Sequence, residues 1–257
     1  MPELPEVRIM SNFINQKIKD KQINSVFHVE RGNNPKPLPF EPDNQILTST
    51  TNGKELVLNL GELKIFVFMG MNGNWKYVET ENWNSTNHIR LRFDDETGHS
   101  LILHGGFMGP KYSVGKPFGG VKRGADPTKN FDKFKMDIFQ NLDKKDFDKP
   151  ISEVLMNQKY FNGVGAYLNA EIIGRLDYNP FQKFNTLSKN QIDSLLDMIV
   201  KCCEESIQLG GGELISWHNP LQESKIDDWI KFYGKKDICQ KQKFGTRNIW
   251  IQKKWLN

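Results

Sequence analysis

The sequence predicts an α+β protein: an N-terminal antiparallel β-sandwich that carries a helix, then a helical domain ending in a short β-hairpin. Three observations lead there. Strand-like runs separated by turn residues recur through 1–115. A stretch rich in Gly, Pro and Lys follows (GKPFGGVKRGADPTKN) and reads as a linker. Beyond it, apolar residues recur at helical spacing. The expected division is a sandwich at 1–115, a linker at 116–130, a helical domain at 131–233 and a hairpin at 234–257.

The elements can be justified in order. At 5–19, Val7, Met10, Phe13, Ile14 and Ile18 share one helix face. Pro5 suits the first helical position, and Glu6 suits the first turn. Strands are expected at 22–30, 55–60, 63–69, 74–78, 88–93, 100–103 and 111–114, punctuated by Asn52-Gly53, Gly61, Gly73 and Gly98. Helices are expected at 131–142, 150–157 and 166–176. Ser188 and Gln191 form a capping-box pattern that opens a helix to about 208. Its inner face is Ile192, Leu195, Leu196, Ile199, Cys202 and Cys203. Gly210-Gly211-Gly212 ends it and starts a loop to about 224 that is expected to move. The tail at 238–256 reads as two short strands around Gly245-Thr246-Arg247-Asn248.

Composition narrows the function. With 37% hydrophobic and 26% charged residues, the chain suits a globular protein with a real core. No run approaches the roughly 18 apolar residues of a membrane span, and the N-terminus has no apolar signal region. An intracellular protein (nuclear, cytoplasmic or viral), not secreted and without membrane partners, is expected. Cys202, Cys203 and Cys239 make neither a disulfide framework nor a C-x-x-C metal pair, and the five histidines lack ligand spacing. No metal or organic cofactor is expected. Charge is concentrated at the end: 231–257 holds eight Lys/Arg and one acid, a local +7 against +4 for the whole chain. Phe232, Tyr233, Phe244, Trp250 and Trp255 interleave with those cations, a mixture suited to phosphates and bases.

The first six residues carry the chemistry. Once Met1 is trimmed, Pro2 is a secondary α-amine, with a reference pKa of about 8 against about 10.4 for lysine. Such an amine attacks an aldehyde-level carbon to give an iminium, which primes elimination. Glu3 and Glu6 offer the acid and base groups. The plainer reading is a proline-opened helix with an acid in its first turn.

Further motifs match a family. The chain resembles the formamidopyrimidine-DNA glycosylase/endonuclease VIII family of base-excision repair enzymes, nearly end to end. Pro2-Glu3-Leu4-Pro5-Glu6 resembles its catalytic N-terminus, and Asn52-Gly53-Lys54 its lysine turn. The segment from Asn157 to Glu171, with Phe161-Asn162-Gly163-Val164-Gly165 at its centre, resembles its helix–two-turns–helix. Thr246-Arg247-Asn248-Ile249-Trp250-Ile251-Gln252 is similar to the zincless finger of the animal endonuclease VIII-like 1 branch.

The resemblance implies a monomeric bifunctional glycosylase and abasic-site lyase acting on double-stranded or bubble DNA, with Pro2, Glu3, Glu6 and Lys54 catalytic. Oxidised pyrimidines, hydantoins and formamidopyrimidines are the implied lesions. Asn162, Gly163 and Gly165 would approach a phosphate beside a helix N-terminus, or form an ordinary interhelix turn. Arg247 would grip a phosphate, or be a solvated turn residue. Lys54 would act at the lesion, or snorkel from a strand end. Met71, between Gly70 and Gly73, would fill the gap left by a flipped base, or sit in the core.

Two departures bear on this. Ala166 stands where the family carries a phosphate-binding asparagine. His104-Gly105-Gly106-Phe107-Met108-Gly109 lacks the arginine expected to pair with the orphaned base, leaving Phe107 or Met108 as a wedge. A protein that binds damaged DNA without catalysis is the alternative reading.

Overall fold

The computed structural model describes residues 2–30, 34–38, 45–85, 88–106, 109–117, 122–212 and 217–256. The chain divides into two compact units. One comprises Met1–Pro2, Glu6–Val121 and Gly210–Ser224; the other comprises Glu3–Pro5, Lys122–Leu209 and Lys225–Asn257.

The first unit is built on an antiparallel sheet. Its strands are β1 (Gln22–Glu30), β2 (Asn34–Pro37), β3 (Gln45–Asn52), β4 (Glu55–Leu60), β5 (Leu63–Phe68), β6 (Asn74–Glu79), β7 (Ile89–Asp95), β8 (His99–His104) and β9 (Lys111–Val114). Instead of two separate sheets, the ladder runs unbroken in the order β6-β8-β7-β1-β3-β4-β5-β9, with β2 on β1. The joint is thin: among the described residues β1 and β3 share only Gln22↔Ile46 and Ile23↔Gln45. The sheet folds over at that joint. Tyr112 Oη of β9 lies 2.7 Å from His28 Nδ1 of β1, although three strands separate them in the ladder.

Helix α1 (Leu4–Lys17) buries Val7, Met10, Phe13 and Ile14, as the spacing predicts. Its polar flank meets β3. Ser11 and Ser49 hydroxyls are 2.9 Å apart, Asn15 exchanges hydrogen bonds with the Ser49 backbone at 2.7 and 2.9 Å, and Arg8 Nε donates to Thr51 Oγ1 at 2.9 Å. That polar inner face is why β3 escapes a search for alternating apolar residues: Ser49 and Thr51 occupy buried positions. β2 escapes because Pro35 and Pro37 argue against a strand. They are tolerated on an edge, where a missing donor breaks no ladder.

The second unit holds α2 (Phe131–Phe139), α3 (Ile151–Val154), α4 (Ala166–Leu176) and α5 (Lys189–Gln208), with the hairpin β10 (Cys239–Phe244) and β11 (Arg247–Gln252). The α5 capping box is present: Gln191 N donates to Ser188 Oγ, and Ser188 N to Gln191 Oε1. α2 and α3 are shorter than expected, ending in turns after Phe139 and Val154. Phe134, Phe147, Phe161 and Phe184 form an aromatic core with ring centroids 5.2–6.4 Å apart. Phe244, Ile249 and Ile251 form a second buried cluster on one face of the hairpin, with Met156, Ala166 and Leu256 packed against it.

Candidate active site

The second unit contains a carboxylate captured by a helix. α4 begins after Gly165, whose lack of a side chain leaves the helix without an N-cap acceptor of its own. Glu3 supplies it. Its Oε2 accepts from Gly165 N at 2.6 Å and Leu168 N at 3.4 Å, and its Oε1 accepts from Tyr167 N at 3.0 Å. Glu3 is buried, and the positive end of the helix dipole favours its charge. Leu4 N donates to Gly163 O at 3.1 Å.

This changes what the glycines are for. A Cβ at Gly165 would lie 2.3 Å from Glu3 Oε1, and one at Gly163 would lie 2.7 Å from Leu4 Cβ. Gly163 also has φ +113, in the region that favours glycine. The two glycines therefore admit the N-terminal segment. Their amides are taken within the chain, Gly165 N by Glu3 and Gly163 N by Gln158 Oε1 at 3.0 Å. Asn162 is fully buried, its amide donating to Gly124 O at 3.0 Å. The expectation that these three residues present donors to a phosphate meets buried, engaged groups. Ala166, at the asparagine position, packs beneath the hairpin.

Near Glu3, burial raises the Tyr233 phenol pKa and the Glu3 charge adds to the rise. The ring of Tyr233 stands edge-on to Tyr167 and to Trp250, at 6.3 and 6.5 Å. At the hairpin tip, Phe244 pairs with Arg247, so Gly245 and Thr246 alone make the turn. Gly245 has φ +53, as a two-residue turn with glycine first requires. Arg247 is thus the first residue of β11, not part of the turn, and its side chain is exposed.

The first unit holds the other candidates. Pro2 is buried, and Met1 lies outside the described residues. Glu6 is fully buried, and its Oε1 accepts from Gly212 N at 2.7 Å. Gly211, at φ +74, lets the chain pass: a Cβ there would meet Glu6 Oε1 at 3.0 Å. The loop beyond is pinned at several points. Asn219 Nδ2 donates to Gly210 O, Ser224 Oγ to Gly211 O, and Asn74 Nδ2 to His218 O. Trp217 is buried there; residues 213–216 lie outside the described set.

Lys54 occupies the β3–β4 turn with Gly53 and is only 6% exposed, so it does not snorkel into solvent. Met71 is 47% exposed in the turn 70–73, not a core residue. Beside that turn, Gly105 comes so close that a Cβ would meet Asn72 O at 3.0 Å. His104 is held near a pKa of about 4, by burial first and by the Lys76 charge second, and is neutral at pH 7. Phe107 and Met108, the expected wedge, lie outside the described residues.

Among the described residues, no three His, Cys, Asp or Glu side chains cluster to hold a metal, and no helix is long and apolar enough to cross a membrane. Burial raises the Cys202 thiol to about 12, so it is an inert apolar residue.

Residues 1–105 match the family model for the formamidopyrimidine-DNA glycosylase N-terminal domain. Human endonuclease 8-like 1 is 27% identical across 98% of this chain and 72% of its own length. A Wolbachia formamidopyrimidine-DNA glycosylase is 29% identical across 86% of this chain and 83% of its own. The chain is thus similar to formamidopyrimidine-DNA glycosylases and to endonuclease 8-like 1 along most of its length. Solved structures agree in fold. The Lactococcus lactis Fpg protein, in complex with DNA containing an abasic site, superposes with a TM-score of 0.78 over 97% of both chains at 19% identity. The Thermus thermophilus MutM (Fpg) protein gives 0.79 over 97% of both at 20%.

Sequence reasoning passed over three residues in these sites. Trp217 lay in a segment read only as loop. Tyr233 was counted only among aromatics in a basic tail. Glu171 carried a usable signal: it is an acid between Ala170 and Ile172 in an apolar helix, a place where charge is buried only with partners.

Proposed function

We propose that this chain is a bifunctional DNA glycosylase and abasic-site lyase that removes oxidised pyrimidines, hydantoins and formamidopyrimidines from duplex or bubble DNA. The observation that supports this most directly is the capture of Glu3, the neighbour of Pro2 in the chain, by three backbone N–H groups at the start of α4. A proton donor works only from a fixed position within hydrogen-bond reach of the atom it serves. The helix end gives this carboxyl such a position, one residue away from the nucleophile, and because the same N–H groups favour its ionised form it takes up a proton before it delivers one.

In this reading Pro2, freed of Met1, attacks C1′ of a flipped nucleotide while Glu3 protonates the deoxyribose ring oxygen. The C1′–N bond breaks and the base leaves with the proton that the Pro2 nitrogen sheds, the C1′–O4′ bond opens as O4′ takes its proton from Glu3, and the sugar is held as an iminium to Pro2. Loss of a C2′ proton expels the 3′ phosphate, and a second elimination expels the 5′ phosphate. Glu6 supports the first turn of α1. Lys54 is a buried ammonium for the lesion strand, Met71 fills the vacated stack, and Arg247 holds a phosphate. No step calls for a metal.

Borohydride trapping on a duplex with an abasic site tests this. Protein shown by mass spectrometry to begin at Pro2 should form a covalent DNA adduct. Protein retaining Met1 should form none, because an amide nitrogen has no basic lone pair. An adduct of equal yield from protein that retains Met1 would remove Pro2 from the mechanism.

A further inference from the structure

One fully buried acid has no part in that chemistry. Glu171, on α4, is 0% exposed. Its Oε1 accepts from three consecutive amides: Lys231 N at 3.1 Å, Phe232 N at 2.8 Å and Tyr233 N at 2.9 Å. Its Oε2 accepts from Lys231 N at 3.0 Å and from Arg175 Nη2 at 3.3 Å. Arg175 extends the grip. It donates to Trp229 O at 2.7 Å and lies 4.2 Å from the Trp229 ring, whose Nε1 donates to Glu205 at 2.7 Å. Gly174 completes the seat: any side chain there would strike the Phe232 ring, with a Cβ 2.3 Å from its Cγ.

The segment so held leads directly into β10. It also carries Tyr233, whose ring stands between Tyr167 of α4 and Trp250 of β11. We infer that Glu171 is a positioning residue for DNA binding: its charge fixes the backbone at 231–233, and through it the hairpin that presents Arg247 and the basic tail. An ionised carboxylate suits this task because it only accepts. Three parallel N–H donors from one turn of chain can converge on it, and the low dielectric strengthens each bond. A glutamine in its place would set an NH₂ against Lys231 N–H and the Arg175 guanidinium. The inference rests on the DNA glycosylase reading for its consequence, but its local prediction does not.

The experiment uses the full chain carrying Glu171→Gln, with Glu171→Asp as a second variant should the first fail to fold. Hydrogen exchange reads the anchor. Protection should fall at 231–233 and hold at 165, 167 and 168, where Glu3 is the acceptor. Binding to an abasic-site duplex should weaken roughly tenfold, while borohydride trapping at saturating DNA stays within about twofold of wild type. Glu171→Asp, which keeps the charge on a shorter arm, should recover part of the affinity.

Unchanged protection at 231–233 would overturn the inference. So would loss of protection throughout the second unit, or equal loss of trapping and affinity, either of which makes Glu171 a stability residue. If wild-type protein traps no DNA, the glycosylase reading fails, while the exchange pattern at 231–233 still decides what Glu171 holds.

Discussion

Two regions of the second unit handle charge in opposite ways. At the start of α4, the Glu3 carboxylate is buried and gripped by three backbone N–H groups. At the hairpin tip, Arg247 is exposed beside a two-residue turn. The first arrangement fixes one carboxyl group in space. The second leaves a guanidinium on a flexible stem, open to solvent and salt. Geometry dominates in one place and long-range attraction in the other, so the two should fail differently when altered.

The largest effect is expected at Glu3. Glu3→Gln removes the proton donor and turns an NH₂ toward a backbone N–H that now lacks an acceptor. Base excision should fall by roughly 10²–10⁴-fold, the range a positioned general acid contributes. Cleavage at preformed abasic sites should survive within about tenfold, because no base has to leave. Gel assays on the two substrates separate these outcomes; equal losses on both would make Glu3 structural.

Arg247→Ala should act more gently and without regard to sequence. Affinity for all duplexes should fall together, and the salt dependence should flatten by roughly one phosphate contact, about 0.9 in log–log slope. The melting temperature should not move, because the hairpin is held by its own buried face of Phe244, Ile249 and Ile251. An unchanged salt slope would take the hairpin out of DNA binding.

The smallest effect belongs to the first unit. The folded-state pKa of His104, about 4, lies below its ordinary value of about 6.5. Between those values the unfolded chain binds more protons, so this residue makes stability fall as pH drops from about 6.5 toward 4. His104→Gln should flatten that part of the stability–pH curve, measured by denaturant unfolding. A curve parallel to wild type would mean that the imidazole is not buried in solution.

How much of this could be read beforehand depended on how local each signal was. The α5 capping box needs only Ser188 and Gln191, three residues apart, and it appears as expected. α1 repeats its apolar face often enough to be unmistakable. β3 was missed because its buried side chains answer to Arg8, Ser11 and Asn15 on a helix far earlier in the chain. The same distance obscured the site. Pro2, Glu3 and Glu6 could be named from the hexapeptide, and Gly163 and Gly165 from their motif. That Glu3 is the group for which Gly165 makes room could not, because nothing local links positions 162 residues apart.

The allocation of Gly210–Ser224 to the first unit bears on how the protein is made. A nascent chain leaving the ribosome has its whole nine-stranded sheet long before it has that loop. Until Gly212 emerges, Glu6 is an acid bound for a buried position without one of the donors that meets it there. A fragment cut at the glycine-rich stretch near 120 would keep that deficit permanently. The linker looks like a domain boundary, yet the amino-terminal half should fold poorly alone. It should be rescued only by a partner fragment that supplies the missing loop.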